Sequence, residues 1–288
     1  YKALFLQGGA SSQFIATAYN LLENKGAYLN TGTWSTKAIK EAKILGEVVE
    51  VASSADANFN YIPKEYSVPT DADYLHITTN NTIFGTQIKN IPVTDTVLVS
   101  DSSSDIFSRR LDFSKFGILY AGAQKNMGPA GTTLVVMRED VLGKVTHSIP
   151  SMLDYAIHSS KGSMFNTPPV FAVYTSMLTL EWLKNLGGIK AIEVQNNAKA
   201  DLMYGEIDRN PLFKGFAAQE DRSTMNATFT LEEAKLKERF DSMCADALIN
   251  GINGHRSVGG YRASMYNALP IASVQTLVDV MKELERTT

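Results

Sequence analysis

Short apolar runs alternate with stretches of helical period through the first half of the chain, and this alternation limits its possible folds more than any other feature. The apolar runs are residues 3–6, 27–30, 48–51, 74–77, 96–100, 116–121 and 132–137. Helix-period stretches at residues 13–22 and 35–45 lie between the first of them. Uniformly apolar strands separated by helices are typical of a mostly parallel sheet with both faces covered. We therefore predict an α/β fold with ligands at the carboxyl ends of the strands.

The pattern changes in the last third of the chain. Pro168 and Pro169 precede a helical stretch that two glycines end at Gly187, and a second helix is predicted at residues 189–207. The segments that follow are predicted as a strand at 224–231, a helix at 231–249, a strand at 257–266 and a helix at 273–286. We predict a large domain at residues 1–187 and a smaller C-terminal α+β domain at residues 188–288.

Composition narrows the function classes. The 288 residues are 44% hydrophobic and 20% charged, with a net charge of −3, as expected of a globular protein with a sizeable core. No basic stripe indicates nucleic-acid binding, and no apolar run approaches the ~18 residues of a membrane span. The histidines lack metal-ligand spacing, so we expect no metal. Cys244 has no partner for an internal disulfide, which favours a reducing, cytoplasmic location.

Three loops that follow predicted strands carry chemically useful residues. The loop QGGASSQ at residues 7–13 predicts a phosphate cradle, because glycines admit a ligand and helix N-termini bind anions; a serine-capped turn is the alternative. Asp101 ends a strand and faces the ligand crevice, unless it only caps the next turn. Lys125 follows another strand among small residues, as a Schiff-base lysine with a lowered pKa or as a solvated side chain.

Together these residues meet the requirements of pyridoxal 5'-phosphate (PLP). An aldehyde cofactor with a pyridine ring needs a lysine for covalent attachment and a carboxylate beside the ring nitrogen. Asp101 and Lys125 end two nearby predicted strands, so they can serve one ring. The glycine loop would hold the phosphate, and Trp34, at the start of a helix, would stack on the ring.

Several longer segments resemble the phosphoserine aminotransferase family. The segments are YAGAQKNMGPAG at 120–131, NTGTW at 30–34, NNTI at 80–83, MFNTPP at 164–169 and GHRSVGGYRAS at 254–264. They occur in the order of the family and extend over the whole chain. The resemblance implies PLP-transferase fold type I, and a homodimer whose active sites are shared between subunits.

The resemblance also implies a role for particular residues of this chain. Lys125 is expected to be the catalytic lysine that carries PLP. The other expected cofactor-binding residues are Ala10, Ser11, Trp34, Thr82, Asp101, Gln124, Asn166 and Thr167. Within that set, Asn166 and Thr167 would reach the phosphate bound by the neighbouring subunit. The expected substrate-binding residues are His255, Arg256 and Arg262.

The residues themselves also favour an anion site at 255–262. Two of the nine arginines, Arg256 and Arg262, bound a seven-residue stretch beside His255. Arginine binds carboxylate and phosphate through two donors, although an ordinary solvated basic turn is the alternative.

The chain departs from the family at two places. Many members have an arginine where this chain has Ser11, and the family's upstream His-Arg pair is absent. Because residues 1–6 already form a predicted buried strand, we expect an N-terminal segment to be missing.

The resemblance implies the exchange of an amino group between glutamate and 3-phosphohydroxypyruvate, which gives O-phospho-L-serine and 2-oxoglutarate in serine biosynthesis. A related step of pyridoxine biosynthesis, on 4-phosphohydroxythreonine, is a second expected role. The alternatives are another fold-type-I enzyme, such as a serine–pyruvate aminotransferase or a cysteine desulfurase, and an inactive PLP-binding fragment. A nucleotide-binding α/β protein is disfavoured, because the chain has neither GxGxxG nor a P-loop.

Overall fold

The fold is seen in a computed structural model, which describes residues 1–256 and 258–288. The strands are β1 Lys2–Leu6, β2 Lys25–Asn30, β3 Glu47–Ser53, β4 Tyr74–Thr78, β5 Asn80–Asn81, β6 Thr86–Gln87, β7 Val97–Asp101, β8 Ile118–Gly122, β9 Thr133–Met137, β10 Phe213–Gly215, β11 Asn226–Leu231 and β12 Tyr261–Ser264. The α-helices are α1 Gly9–Leu21, α2 Thr33–Ala42, α3 Tyr155–Ser160, α4 Val170–Asn185, α5 Gly188–Arg209, α6 Lys237–Asp246 and α7 Ile271–Arg286.

A seven-stranded sheet organises the first half of the chain. Its strand order is β1-β9-β8-β7-β4-β2-β3, and β9 runs antiparallel to both of its neighbours. The other pairs are parallel, so the predicted mostly parallel sheet is confirmed. As a result, the carboxyl ends of β1, β2, β4, β7 and β8 lie along one edge of the sheet. That edge is where the candidate site forms.

Both faces of the sheet are covered, which explains why its strands lack polar alternation. In β7, Val99 packs in the cluster that includes Phe14 of α1. The adjacent Leu98 packs in a second cluster with Leu119. Successive side chains of a strand point to opposite faces, so both faces must be apolar. Each fully buried side chain of this size contributes about 1.5–3 kcal/mol.

Helix α1 begins at Gly9, four residues before the predicted start at residue 13. The backbone torsion φ is +91° at Gly8 and +64° at Gly9, and glycine adopts this left-handed region easily. A Cβ at Gly8 would also collide with the Ser12 side chain. The strand therefore turns directly into the helix, and the serines that we assigned to the loop lie in its first turn.

The C-terminal part has its own sheet and core. Strands β10, β11 and β12 form an antiparallel sheet in that order. A separate apolar cluster includes Phe229 and Tyr261 of that sheet and Phe240 of α6. A smaller α+β unit is thus present as predicted, whereas its boundary near Gly187 stays a prediction.

Two predicted elements of this part are too long. The helix predicted at 231–249 extends only over Lys237–Asp246, because Leu231 still pairs in β11 and Leu248 has a positive φ of 59°. The strand predicted at 257–266 is Tyr261–Ser264, and Ser257 lies outside the described residues.

Helix α4 presents large apolar side chains to solvent. Phe171 is 78% exposed and Tyr174 is 55% exposed, and Met177, Leu178 and Trp182 add to the same surface, which we call the α4 face. Across residues 1–256 and 258–288, no helix combines the length and apolarity that a membrane span requires. An apolar surface of this size that faces solvent usually belongs to an interface.

Candidate active site

Asp101 and Lys125 lie at the carboxyl ends of two adjacent strands. Asp101 is the last residue of β7 and is 5% exposed, and it is in register with Tyr120 of β8. Lys125 follows the end of β8 by three residues, and burial lowers its pKa although the charge of the Asp101 carboxylate opposes that lowering. The lysine and the carboxylate that we predicted at the ends of two nearby strands therefore lie at one edge of the sheet.

The position of Asp101 is fixed by the turn that follows it. Its Oδ1 accepts a hydrogen bond from the Ser103 backbone N–H at 2.9 Å. Burial raises the pKa of this carboxyl group, while the bonds from Ser103 and the charge of Lys125 oppose that rise. The turn-capping role that we gave as the alternative for Asp101 is therefore present, together with its place at the end of the strand.

Burial lowers the pKa of Lys125 below its usual value, and the nearby Arg262 charge lowers it further. A larger fraction of the amine is thus unprotonated near neutral pH than in an exposed lysine. The loop is wound around one carbonyl oxygen, that of Ala123, which accepts N–H bonds from Lys125 at 2.6 Å, Met127 at 3.2 Å and Gly128 at 2.9 Å. This tight turn holds the base of the lysine side chain.

Hydrogen bonds join Thr82 to Trp34 on one side and to Arg262 on the other. Trp34 Nε1 donates to Thr82 Oγ1 at 3.0 Å, and Arg262 Nη1 donates to the Thr82 backbone oxygen at 3.2 Å. Arg262 Nε is buried without a hydrogen-bond partner among the described residues. Arg262 therefore has a hydrogen-bond donor that a ligand could use, and the charge of its guanidinium lowers the pKa of Lys125.

The glycine loop places Ala10 and Ser11 in the first turn of α1. The first backbone N–H groups of a helix have no intrahelical acceptor, so those of Ala10 and Ser11 can bind an anion. Gln7 Nε2 donates to the Thr167 backbone oxygen at 2.6 Å and joins this loop to the segment before α4. In that segment Asn166 is half-buried and Thr167 is exposed. Their contact with a second subunit stays a prediction.

The remaining predicted residues lie in two loops. His255 is half-buried and Arg256 is exposed, in a loop closed by a bond from Gly254 N–H to the Gly260 oxygen at 2.8 Å. Gln124 is exposed, and its side-chain amide folds back so closely that a Cβ at Gly122 would collide with it.

The residues brought together fit PLP. They comprise an amine of lowered pKa at Lys125, a buried carboxylate at Asp101, an indole at Trp34 and free helix N–H groups at the glycine loop. These match an aldehyde, a ring nitrogen, a ring face and a phosphate, respectively. The unpartnered Arg262 Nε adds a donor for an anionic substrate.

Comparison with known proteins agrees with this site. The aminotransferase class-V family model matches residues 1–277. A phosphoserine aminotransferase of Flavobacterium psychrophilum is 65% identical over 287 residues, which is 99% of this chain and 81% of that protein. A solved phosphoserine aminotransferase, studied for radiation damage of its Schiff base, superposes with a TM-score of 0.96 at 45% identity, over 100% of this chain and 82% of that one.

A PLP-bound phosphoserine aminotransferase from Trichomonas vaginalis has a TM-score of 0.92 at 36% identity, over 98% of this chain and 82% of that one. These similarities extend over the seven-stranded and the C-terminal three-stranded sheet and over every segment that carries a candidate site residue. The chain therefore belongs to the class-V aminotransferases and, within them, to the phosphoserine aminotransferase family.

Proposed function

We propose that this chain is a PLP-dependent aminotransferase that exchanges an amino group between glutamate and 3-phosphohydroxypyruvate, with O-phospho-L-serine and 2-oxoglutarate as products. The observation that carries the proposal is the half-buried side chain of Lys125, whose amine is within electrostatic range of both the buried carboxylate of Asp101 and the guanidinium of Arg262. Membership of the phosphoserine aminotransferase family supports this substrate pair.

The residues that would hold PLP are those predicted from the sequence. When bound, PLP supplies a carbonyl carbon for the amine and a ring that withdraws electrons from the substrate carbon. Asp101 would hold a proton on the facing ring nitrogen. Trp34 would cover one ring face, with Thr82 and Gln124 as hydrogen-bond partners at the ring. Ala10 and Ser11 would bind the phosphate through their N–H groups.

Lys125 has two roles in this proposal. Its amine attaches the cofactor, and its low pKa favours the unprotonated form that attachment needs. As a free amine, Lys125 Nζ would accept the α-proton of the substrate and return a proton, as general base and acid. The tight loop around the Ala123 oxygen fixes the backbone from which this side chain extends.

Both substrates suit a site with two cationic ends. Glutamate and phosphoserine each have an α-carboxylate and a second anionic group, so each needs donors at two points. Arg262, with its unpartnered Nε, would bind the carboxylate beside Lys125. Arg256 and His255, on the neighbouring loop, would bind the distal anion.

A direct assay tests the function. With glutamate as amino donor, we expect kcat/KM for 3-phosphohydroxypyruvate to exceed that for pyruvate by at least roughly tenfold, because a dianion gains a charge-assisted contact that pyruvate lacks. Equal rates would favour a serine–pyruvate aminotransferase. PLP absorbance without turnover of either acceptor would favour an inactive PLP-binding fragment.

The cellular role follows from the same chemistry. We place the reaction in serine biosynthesis, with the analogous 4-phosphohydroxythreonine step of pyridoxine biosynthesis as a further role, in the cytoplasm. Cys244 is buried, and burial raises the pKa of its thiol to about 11, so this cysteine is suited neither to desulfurase chemistry nor to an extracellular disulfide framework.

We also propose that two copies of this chain associate through the α4 face and share their active sites. The large apolar side chains of this helix are exposed, and the preceding segment contains Asn166 and Thr167. A dimer would cover the apolar surface and bring those two residues to the partner's phosphate.

Phe171→Glu is expected to convert the dimer to monomers, because it buries an unpaired charge in the interface.

Asn166→Ala is expected to weaken PLP binding roughly tenfold or more without dissociating the dimer, since it removes a bond to a charged group. Sedimentation velocity and PLP titration measure the two effects. Val93→Glu is the control, because Val93 is an 89% exposed apolar residue outside the α4 face. The shared site would be contradicted if the parent protein is a monomer and Asn166→Ala binds PLP with the same affinity as the parent.

A further inference from the structure

Three buried asparagines form a continuous hydrogen-bonded series between the Lys125 loop and helix α5. The backbone N–H of Asn267 donates to Asn126 Oδ1 at 2.9 Å, and Asn196 Nδ2 donates to Asn267 Oδ1 at 2.9 Å. The side chains of Asn126, Asn267 and Asn196 are 4%, 3% and 1% exposed. We call these three residues the asparagine chain.

The same amides also bind three consecutive carbonyl oxygens. Asn126 Nδ2 donates to the oxygen of residue 106 at 3.1 Å, Asn267 Nδ2 to that of residue 107 at 2.9 Å, and Asn196 Nδ2 to that of residue 108 at 2.9 Å. At the middle of this segment Phe107 has a φ of +58°, a value that bulky residues rarely adopt. The asparagine chain therefore holds a strained backbone segment in one conformation.

The asparagine chain contacts the segments next to Lys125, Asp101 and Arg262. Asn126 directly follows Lys125, and consecutive Cα atoms are only ~3.8 Å apart. The segment 106–108 continues the turn after Asp101, and Asn267 lies shortly after strand β12 with Arg262. Lys125, Asp101 and Arg262 come from three separate segments of the sequence, and the asparagine chain connects those segments by hydrogen bonds.

Buried amides are well suited to this task. An amide removed from water is costly unless its donors and acceptors are paired. All three Nδ2 groups and the Oδ1 atoms of Asn126 and Asn267 are bonded, whereas Asn196 Oδ1 is buried without a partner among the described residues. The bonded groups are satisfied in few geometries. Apolar packing would allow the Lys125 loop and helix α5 to slide relative to each other at a smaller cost in free energy.

We propose that Asn126 and Asn267 are positioning residues for the transamination proposed above: they hold Lys125, Asp101 and Arg262 at the separations required for proton transfer. The inference rests on that proposed function. An error of about 1 Å in such an arrangement can lower the rate by ~10²-fold. The asparagine chain touches neither cofactor nor substrate in this scheme, so its effect passes through the three charged residues.

The test compares Asn126→Ala and Asn267→Ala with the parent holoenzyme. Each variant is expected to lower kcat by roughly tenfold or more and to change KM for phosphoserine by less than about threefold. The visible absorbance of bound PLP is the second measurement. In the holoenzyme the Lys125 nitrogen would be bonded to PLP, so the pH midpoint of that absorbance reports this nitrogen in its bound form. Its protonation depends on the distances to Asp101, whose charge favours a proton, and to Arg262, whose charge opposes one, so moving either should shift the midpoint by roughly half a unit or more.

Asn210→Ala is the matched control. Asn210 is 1% exposed, and its Nδ2 donates to Glu206 and to the Met281 oxygen, away from the Lys125 loop. This variant should lower the Tm by a similar amount while kcat and the absorbance midpoint stay unchanged. If the Asn126 and Asn267 variants behave in the same way, the asparagine chain is only structural and the proposal is wrong.

Two further measurements cover the remaining outcomes. If an alanine variant does not fold, Asn267→Asp keeps the acceptor for Asn196 and the backbone N–H bond to Asn126, and it should still shift the absorbance midpoint. The double alanine variant should lose little more in kcat than the worse single variant, because both changes break the same unit. The absorbance readout needs no substrate, so a wrong substrate assignment would leave it intact.

Discussion

Replacing Lys125 by alanine is expected to lower kcat by roughly 10²–10⁴-fold, the range that a positioned general base contributes. The variant loses both the group that attaches the cofactor and the group that moves the substrate proton. Its amine is the one that lies beside Asp101 and Arg262, so another lysine cannot replace it without a change of fold. Formation of 2-oxoglutarate from glutamate and 3-phosphohydroxypyruvate measures the loss.

Lys144→Ala is the matched control, because Lys144 is an exposed lysine outside the site. Its kcat should equal that of the parent. Borohydride reduction and peptide mapping of the parent should place the pyridoxyl group on Lys125. A label on another lysine, or near-normal turnover by the Lys125 variant, would overturn the assignment.

Arg262→Leu is expected to raise KM for phosphoserine at least tenfold. Removing one partner of a buried charge pair costs about 2–5 kcal/mol, and about 1.4 kcal/mol corresponds to a factor of ten. The donor concerned is the unpartnered Nε near Lys125, which a carboxylate would satisfy. The preference for phosphoserine over alanine should fall less in Arg262→Leu than in Arg256→Leu. Alanine shares the α-carboxylate that Arg262 would bind but lacks the distal anion that Arg256 would bind.

Arg286→Leu serves as the control for loss of an arginine. Its guanidinium pairs with Glu283 on the exposed side of α7, and exposed pairs contribute little. The absorbance of bound PLP should persist in all three arginine variants. Unchanged phosphoserine kinetics in both Arg256→Leu and Arg262→Leu would remove the substrate assignment and leave a generic PLP enzyme.

Local patterns predicted much of the central sheet because its strands are buried on both faces. Each of the seven predicted apolar runs overlaps a strand of that sheet. Asp101 and Lys125 were found for the same reason, since Asp101 directly follows such a run and Lys125 lies in the loop after another. The predicted ends of elements were less accurate where backbone torsions decide them, as at Gly8 and Leu248.

Long-range polar contacts were not predictable in this way. Asn126 lies within the motif that identified Lys125, but nothing in its neighbours indicates a bond to Asn267. Asparagine has no periodic pattern, and its partners here are mostly backbone groups, which every residue has. The antiparallel direction of β9 was also outside our prediction, because an apolar run does not reveal its direction.

The place of β9 between β1 and β8 has a consequence for synthesis of the protein. Leu6 pairs with Thr133, so β1 leaves the ribosome well over a hundred residues before the strand that pairs with it. At typical translation rates that delay is on the order of ten seconds. Throughout it, an apolar strand edge is exposed on the nascent chain, and such edges pair readily with other chains. Chaperone occupancy of β1 should therefore fall only after translation has passed β9.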